Sequence, residues 1–229
     1  LLTGRDTKAL KNIQKKVDAI SDSGKVVAQR ADITVPEDRD TLLAVADSEL
    51  DGATMLVNGA GTGGSRTAFE ELSQEQLTRV MEINFTSTVL LTQEIYPRLK
   101  ERENGAIVNI SSLSGLRGTH QSIPYCSSKF ALIGFTQALA LEAIEHGVRV
   151  NAVCPGWVDT EMAHNGIREK AETAGRTYEE QFEREREGIP SERITDPEEV
   201  ANAVAYLLTN GSENIVGESI KISGGTVLR

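Results

Sequence analysis

Short apolar runs alternate with longer amphipathic segments along this chain of 229 residues. The runs are four to six residues long and rich in β-branched side chains, as is typical of strands covered on both faces of a sheet. The pattern predicts strands at 25–28, 54–57, 106–110, 148–153 and 218–222. Because strands that alternate with helices build βαβ units, we expect an α/β fold with a parallel sheet and helices on both faces.

Helical patterns lie between the predicted strands, at 6–20, 37–50, 73–100 and 125–146, and again from 196 onward. Asp6 is an N-cap candidate, Ser73 begins a near match to a capping box, and Asp196 is followed by proline at the first helical position. No internal repeat or low-complexity linker divides the chain. We therefore predict a single domain over residues 1–229.

The formal net charge of −10 bears on the partners that the chain can bind. An acidic surface repels phosphate backbones and anionic lipids, so we expect neither a nucleic-acid nor a membrane partner. The two cysteines, Cys126 and Cys154, form no CxxC pair, and the three histidines show no ligand spacing, so no metal is predicted. Reduced, partly buried thiols indicate a cytoplasmic protein.

The residues with the clearest chemical potential are Tyr125 and Lys129, four positions apart at the start of a predicted helix. Residues at this spacing share one helical face, with Cβ atoms about 5–6 Å apart. An ammonium beside a phenol favours the phenolate, so we expect a lowered pKa for Tyr125 and a usable general acid or base. A tyrosine and a lysine at this spacing occur by chance in many helices. The neighbouring motifs therefore decide whether the pair is catalytic.

Small or hydroxyl-bearing residues follow several predicted strands. Ser111 and Ser112 end one strand, Asn58-Gly59-Ala60-Gly61 follows another, and Cys154-Pro155-Gly156 follows a third. Open α/β sheets bind their ligands outside the carboxyl ends of the strands. Small residues there let the backbone approach a ligand closely. We therefore expect a ligand site at this edge of the sheet.

The order of these motifs resembles the short-chain dehydrogenase/reductase family. The resemblance rests on Asn-x-Ala-Gly at 58–61, an asparagine at 84 within a helix, Ile-Ser-Ser at 110–112, Tyr-x-x-x-Lys at 125–129, Pro-Gly at 155–156 and Gly-Gly at 224–225. It extends from Leu1 to about Gly225. It implies a Rossmann-like, doubly wound parallel sheet and an oxidoreductase that interconverts a ketone and a secondary alcohol with a nicotinamide cofactor.

The resemblance also implies roles for individual residues. Tyr125 would exchange a proton with the substrate oxygen, while Lys129 would tune Tyr125 and hold the nicotinamide ribose. Ser112, rather than Ser111, would orient and polarise the carbonyl. Asn84 would hold a water that links Lys129 to solvent, although an asparagine inside a helix often merely points to water. The remaining cofactor contacts implied are Asp32 and Ile33 at the adenine, Asn58, Ala60 and Gly61 in the turn after the central strand, Pro155 and Gly156 beside the nicotinamide, and Val158 and Thr160 near its carboxamide.

The position of Arg5 favours NADP(H) over NAD(H). Members of the family that prefer NAD(H) place an acid at the end of the second strand, where it binds the adenosine ribose 2′-hydroxyl. Here that position is Gly4, and Arg5 follows it. A guanidinium pairs with a 2′-phosphate in a forked geometry. Asp6 is the counter-argument, although a helix N-cap explains it better.

A Gly-rich segment at 59–64 fits the dinucleotide pattern GxGxxG, but we do not interpret it as that motif. The residues after it do not open an apolar helix, and it matches the family's Asn-Asn-Ala-Gly turn with Gly59 in place of the second asparagine. The family's phosphate-binding turn lies between its first strand and first helix, which would precede Leu1. Without that first strand the sheet would be split, so we expect further residues before Leu1.

The resemblance leaves the substrate open. A 3-oxoacyl thioester or polyketide-type ketone is the first candidate, and a sugar, polyol or other secondary alcohol is the second. A non-catalytic nucleotide-binding regulatory protein is an alternative of another class.

Residues 158–193, here called the lid segment, are dense in charge, which fits either a solvated pair of helices or a substrate lid. Family members are commonly homotetramers, built through the helices that begin near Ser73 and Tyr125.

Overall fold

A computed structural model describes residues 1–20, 24–102 and 104–228 of the chain. Its helices and strands alternate as the sequence pattern predicts. In chain order they are β1 (Leu2–Gly4), α1 (Thr7–Ile20), β2 (Ala28–Arg30), α2 (Pro36–Leu50), β3 (Met55–Asn58), α3 (Gln74–Met81), α4 (Ser87–Lys100), β4 (Ala106–Ile110), α5 (Ile123–Ala143), β5 (Arg149–Pro155), α6 (Glu161–Ala174), α7 (Tyr178–Glu187), α8 (Pro197–Leu208) and β6 (Ser219–Ile222). The predicted α/β class, with a doubly wound parallel sheet in a single domain, is confirmed.

The strands form two parallel sheets. β1 pairs with β2, while β3, β4, β5 and β6 form a four-stranded sheet in that order. Within the described residues no strand joins β1 to β3, so the doubly wound sheet is present in two pieces. Met55 and Val57 of the edge strand β3 are each close to half exposed, whereas every residue of β5 is buried.

Helices cover both faces of the larger sheet because its central strands carry apolar side chains on both sides. Ile107 of β4 packs on one face with residues of α2, α4 and α5, among them Leu99 and Ala143. Its neighbour Val108 packs on the opposite face against Leu207 of α8. Successive side chains of a strand point to opposite faces, so each buried strand contributes to two clusters. Because β3, β4 and β5 pair in parallel, their carboxyl ends meet at one edge of the sheet. The candidate site lies at that edge.

The predicted helix starts are confirmed by their caps. The carboxylate of Asp6 accepts hydrogen bonds from the backbone nitrogens of Lys8 and Ala9 at 2.8 and 3.1 Å. Ser73 forms a complete capping box with Gln76, and the Glu199 carboxylate accepts a hydrogen bond from the Asp196 nitrogen at 3.0 Å. These caps satisfy backbone donors that a helix cannot pair internally. They fix where α1, α3 and α8 begin.

Three differences from the predicted elements concern residues of the candidate site. The strand expected at 25–28 lies at Ala28–Arg30, because pairing with β1 sets the register from Leu2↔Ala28 to Gly4↔Arg30. Asp32 and Ile33 therefore lie in the turn after β2 rather than at the end of the strand. The helix expected at 125–146 begins at Ile123, with Pro124 in its first turn, and its last three residues are a 3₁₀ turn.

The third difference lies in the helix expected at 73–100. It is interrupted by a π turn at Glu82–Thr86, which separates α3 from α4. A π turn inserts one extra residue into the helix and is frequent at functional sites. Its central residue is Asn84, the asparagine that the sequence singled out.

Candidate active site

Tyr125 and Lys129 lie on one face of α5, where the sequence spacing places them. The Lys129 side chain is buried, and its ammonium nitrogen lies 5.7 Å from the centroid of the Tyr125 ring. The ammonium donates a hydrogen bond of 2.9 Å to the carbonyl oxygen of Ile110, the last residue of β4. An ammonium carries three donors. Within the described residues only this one is used, so the group can still donate to a ligand.

Burial controls the acid–base properties of this pair. Burial lowers the pKa of Lys129 from 10.5 to about 8, and the nearby Cys154 opposes this only in part. For Tyr125 burial acts in the other direction and raises the pKa, because the charged form is the deprotonated one. Cys126 adds to this rise, whereas Ser112 lowers the pKa in part. The expected lowering of the Tyr125 pKa is therefore wrong. The Lys129 ammonium donates to the Ile110 carbonyl, and the cost of burying a phenolate is the largest influence on the pKa of Tyr125.

Of the two serines after β4, Ser112 is the one that meets Tyr125. Its hydroxyl is close enough to the Tyr125 phenol to lower the pKa of Tyr125, and it accepts a hydrogen bond from the Ser114 nitrogen at 3.1 Å. Ser111 is buried, and its hydroxyl donates instead to the Lys129 carbonyl at 3.1 Å. Ser111 thus ties the end of β4 to α5, while Ser112 faces the phenol.

Asn84 joins the turn after β3 to α5. Its side-chain oxygen accepts from the Thr62 nitrogen at 2.7 Å, and its amide nitrogen donates to the Thr62 carbonyl at 2.9 Å and to the Ser128 hydroxyl at 3.0 Å. The side chain is fully buried. It does not point to water, which was the alternative for an asparagine in a helix. The water that it would hold stays a prediction.

Gly61 lies between the two catalytic candidates Asn84 and Lys129. A Cβ placed on Gly61 would lie 3.4 Å from the Asn84 side-chain oxygen and 3.7 Å from the Lys129 ammonium nitrogen. Ala60, just before it, is exposed. The backbone of this turn therefore comes close to both polar groups, and the structure brings Gly61 together with the catalytic candidates.

A buried polar network braces the sheet behind the site, and sequence reasoning missed most of it. The Asn58 amide nitrogen donates to the Asn109 side-chain oxygen at 2.8 Å and to the Thr92 hydroxyl at 3.0 Å. The Asn109 amide nitrogen donates to the Thr136 hydroxyl at 2.9 Å. These side chains link β3 and β4 to α4 and α5. The signal in the sequence was an asparagine within the apolar run of β4. Asn58 faces this network, and its predicted cofactor contact stays a prediction.

The turn after β5 lies beside the end of β4. The Gly156 nitrogen donates to the Ile222 carbonyl at 2.9 Å, and a Cβ on Gly156 would lie 3.3 Å from a methyl carbon of Leu113. Val158 forms a parallel bridge with Thr195, and the Thr160 hydroxyl caps α6. Gly156 thus lies against the segment that follows β4, and the cofactor contacts expected for Pro155, Gly156, Val158 and Thr160 stay predictions.

The residues predicted at the adenine end lie apart from the catalytic group. Arg5 and Asp32 form an ion pair with 3.8 Å between nitrogen and oxygen, and both line a cavity of about 640 Å³. Arg79 of α3 lines the same cavity. The side chain of Ile33 is not brought to this wall, because it is buried in a cluster with Leu42 and Leu91. Its adenine contact stays a prediction.

The lid segment is folded into the helices α6 and α7. Its first turn reaches the opposite wall of the site, since a Cβ on Gly63 would lie 3.9 Å from the Met162 side chain. His164 and Glu185 in this segment, and Trp157 just before it, make polar contacts that the sequence did not reveal. The contact of Trp157 with Glu185 spans 28 residues and that of His164 with Tyr178 spans 14, so no local motif marks either.

Two searches of the described residues were negative. In those parts of the chain, no group of three or more histidine, cysteine, aspartate or glutamate side chains is arranged to hold a metal ion. Of the described helices, none is both long enough and apolar enough to span a membrane. Both cysteines are buried free thiols, as predicted.

Comparison with known proteins gives consistent matches over nearly the whole chain. The family model described as enoyl-(acyl carrier protein) reductase matches residues 2–227. The chain is 30% identical over 212 residues to the 3-oxoacyl-(acyl carrier protein) reductase FabG of Vibrio cholerae, covering 93% of this chain and 81% of that one. It is 32% identical over 217 residues to a D-beta-hydroxybutyrate dehydrogenase of Rhizobium meliloti, covering 94% and 83%. A crystal structure of an actinorhodin polyketide ketoreductase with NADPH superposes with a TM-score of 0.90 at 32% identity, covering 98% of this chain and 85% of that one.

Proposed function

Because the chain belongs to the short-chain dehydrogenase/reductase family and is an oxidoreductase, we propose that it is an NADP(H)-dependent ketoreductase acting on 3-oxoacyl thioesters or polyketide-type ketones. The observation that carries the proposal is the convergence of Ser112, Tyr125 and Lys129 at the ends of β4 and α5. Together with Asn84 they provide a proton donor, a hydrogen-bond donor and a cation around one site.

The residues present fit a nicotinamide cofactor. The Lys129 ammonium keeps unused donors beside the open backbone of Gly61, which suits the hydroxyls of a ribose. The cavity lined by Arg5 and Arg79 offers two cations for the adenosine end, and the carboxylates of Asp32, Glu75 and Glu82 line it as well. When bound, a reduced nicotinamide supplies the hydride that the carbonyl carbon accepts.

In this proposal the protein supplies the proton and orients the carbonyl. Tyr125 has a raised pKa, so its phenol is protonated near neutral pH and can donate to the carbonyl oxygen as that oxygen gains negative charge. The Ser112 hydroxyl donates a second hydrogen bond to the same oxygen, which stabilises the developing charge. Lys129, with a pKa of about 8, lies next to Tyr125 and helps to return a proton to it.

The choice of NADP(H) rests on Arg5. Its side chain is more than half exposed, and its contact with Asp32 is long, so the guanidinium is available to a 2′-phosphate. The carboxylate of Asp32 already accepts from the Thr34 hydroxyl at 2.8 Å and the Thr34 nitrogen at 3.1 Å. It is therefore engaged within its own turn rather than directed at a ribose.

The substrate class is supported by the names of the relatives. One acts on 3-oxoacyl-(acyl carrier protein), and the NADPH-containing structure is a polyketide ketoreductase. The matched D-beta-hydroxybutyrate dehydrogenase keeps a secondary-alcohol dehydrogenase as the second candidate. Turnover with a 3-oxoacyl thioester and with a simple secondary alcohol separates the two candidates.

Assembly as a homotetramer is part of the proposal. Phe130 and Leu141 on α5 and Leu77 on α3 are large apolar side chains that are substantially exposed. These are the helices through which the family is expected to associate, and exposed apolar side chains favour association. Light scattering after sizing chromatography tests this, and a monomer would contradict it. A cytoplasmic location likewise stays a prediction.

The experiment that tests cofactor choice is a fluorescence titration with NADPH and NADH. A charge-assisted bond to a 2′-phosphate is worth about 1.5–3 kcal/mol, so Arg5→Ala should weaken NADPH binding by about 10- to 100-fold and leave NADH binding unchanged. Arg30→Ala is the matched control, because Arg30 is a nearby exposed arginine that pairs with Asp38. If neither cofactor binds the wild type, catalysis is rejected in favour of a non-catalytic protein.

A further inference from the structure

Glu185 on α7 is a largely buried carboxylate whose oxygens accept three hydrogen bonds. The Trp157 indole nitrogen donates to one oxygen at 2.9 Å. The Lys170 ammonium and the Gln181 amide nitrogen donate to the other, each at 2.7 Å. Burial would raise the pKa of Glu185, but these donors outweigh it and lower the pKa, so the carboxylate stays ionised. A buried charge satisfied in this way holds its donors in fixed positions.

The three donors come from three parts of the chain. Lys170 belongs to α6 and Gln181 to α7, whereas Trp157 lies in the turn that follows β5. The Lys170 ammonium also lies 5.0 Å from the centroid of the Trp157 ring. On the α6 side, a Cβ on Gly166 would lie 3.4 Å from the indole. The indole is therefore enclosed by the two lid helices.

A second link joins the same turn to the other end of α7. The His164 Nε2 donates to the Asp159 carboxylate at 2.7 Å, since a carboxylate can only accept, and the Tyr178 hydroxyl lies 2.6 Å from His164 Nδ1. Tyr178 is the first residue of α7, and Glu185 is near its end. Trp157 and Asp159 thus attach one turn to α7 at two points.

The backbone of this turn, residues 156–160, is also the edge of the candidate active site. The Trp157 carbonyl accepts from the Thr195 nitrogen at 3.0 Å, and the Asp159 nitrogen donates to the Thr195 carbonyl at 2.9 Å. Gly156 lies against Leu113, which follows the catalytic candidate Ser112. Movement of the indole would therefore displace the backbone next to the reacting groups.

We propose that Glu185 is a positioning residue that acts through Trp157 to hold the 156–160 turn against the nicotinamide end of the cofactor. The inference rests on the proposed function, because the turn would contact the cofactor there. It also assigns the lid segment a role: α6 and α7 hold the turn that would place the nicotinamide. A misplacement of about 1 Å at such a turn can reduce turnover by about 100-fold.

The test compares Glu185→Leu and Trp157→Phe with the control Glu183→Leu. Glu183 lies on the same helix but pairs with Arg186 at the surface. Trp157→Phe keeps an aromatic ring and removes only the donor and part of the ring, so it remains informative if Glu185→Leu fails to fold. Affinity for NADPH and the separate values of kcat and KM are measured for each.

Both variants should weaken NADPH binding and lower kcat by about tenfold or more, with a smaller change in the substrate KM. The double variant should be no worse than the more damaging single variant, because the two residues act as one unit. Glu183→Leu should match the wild type. If kcat and NADPH affinity stay within about twofold of the wild type in both variants, the proposed role is refuted.

A measurement without cofactor separates this proposal from the proposed function. Amide hydrogen exchange of residues 156–160 should be about tenfold faster in Glu185→Leu and Trp157→Phe than in Glu183→Leu. Unchanged exchange would refute the positioning of the turn. Faster exchange in a protein that binds neither nicotinamide cofactor would leave the positioning in place and refute the proposed function instead.

Discussion

The buried ammonium of Lys129 should make the stability of the protein depend on pH in a defined direction. Its pKa in the folded protein is about 8, against 10.5 for an ordinary lysine. Between those values the unfolded chain holds the proton and the folded chain does not. The free energy of unfolding therefore rises with pH across this window, and the burial of the charge is a cost at neutral pH.

The size of the effect follows from the same two values. At about 1.4 kcal/mol per pH unit, the contribution of Lys129 should increase the free energy of unfolding by about 2–3 kcal/mol between pH 7 and pH 10. The raised pKa of Tyr125 acts in the opposite direction only above about pH 10, where an unfolded tyrosine ionises first. The buried thiol of Cys154, whose pKa is raised from 9.0, acts in that same direction from about pH 9, so the lysine is isolated by comparing the wild type with a variant that lacks it.

Urea unfolding of the wild type and of Lys129→Met across this range measures the effect. The stability difference between them should shift by about 2–3 kcal/mol in favour of the wild type as the pH rises, while Lys129→Met loses activity. Near pH 7 the substitution stabilises the protein because a charge no longer has to be buried. It also lowers the free energy of unfolding by about 1–3 kcal/mol because the Ile110 carbonyl is left unpaired. Lys11→Met, at an exposed position on α1, is the control. A pH-independent difference would show that Lys129 is not a buried charge.

Three other predictions address the packing around the site. Asn109→Leu should lower the free energy of unfolding by about 1–3 kcal/mol, because the buried amide of Asn58 loses one of its two acceptors and keeps only the Thr92 hydroxyl; urea unfolding measures this. Gly64→Ala should lower the melting temperature, since Gly64 has a φ of 67° and a Cβ there would lie 2.9 Å from a methyl carbon of Val80. Gly118→Ala meets no atom within 4 Å and should leave the melting temperature unchanged. Cys154, fully buried and with a pKa raised by burial, should react with a thiol reagent only after unfolding, and rapid reaction of the native protein would contradict its placement.

Local patterns were sufficient to predict the fold class. The alternation of apolar runs and amphipathic segments predicted the parallel sheet, and the caps at Ser73 and Asp196 predicted two helix starts that the structure confirms. The position of β2 was wrong by several residues because its register depends on pairing with β1, a tertiary contact. The helical spacing of apolar residues, with a period of 3.6, likewise did not predict the π turn at Asn84. In the folded chain that turn accompanies the hydrogen bonds of the Asn84 side chain with Thr62 and Ser128.

The candidate site was predicted only in part. The spacing of Tyr125 and Lys129 placed them on one face of α5, but the direction of the Tyr125 pKa depends on burial, which the spacing does not report. The link from Trp157 to Glu185 spans 28 residues and has no local signature. Contacts of that kind are fixed by packing, so they become visible only in the folded chain.

The central claim is that Tyr125 donates a proton during NADPH-dependent reduction of a ketone. The most direct test is the rate of NADPH oxidation with a 3-oxoacyl thioester, such as acetoacetyl-CoA, for the wild type and for Tyr125→Phe. A positioned general acid contributes about 10²- to 10⁴-fold, so the variant should lose that much of kcat and still bind NADPH with wild-type affinity. A variant that retains wild-type turnover, or a wild type that does not oxidise NADPH with any ketone, would contradict the account.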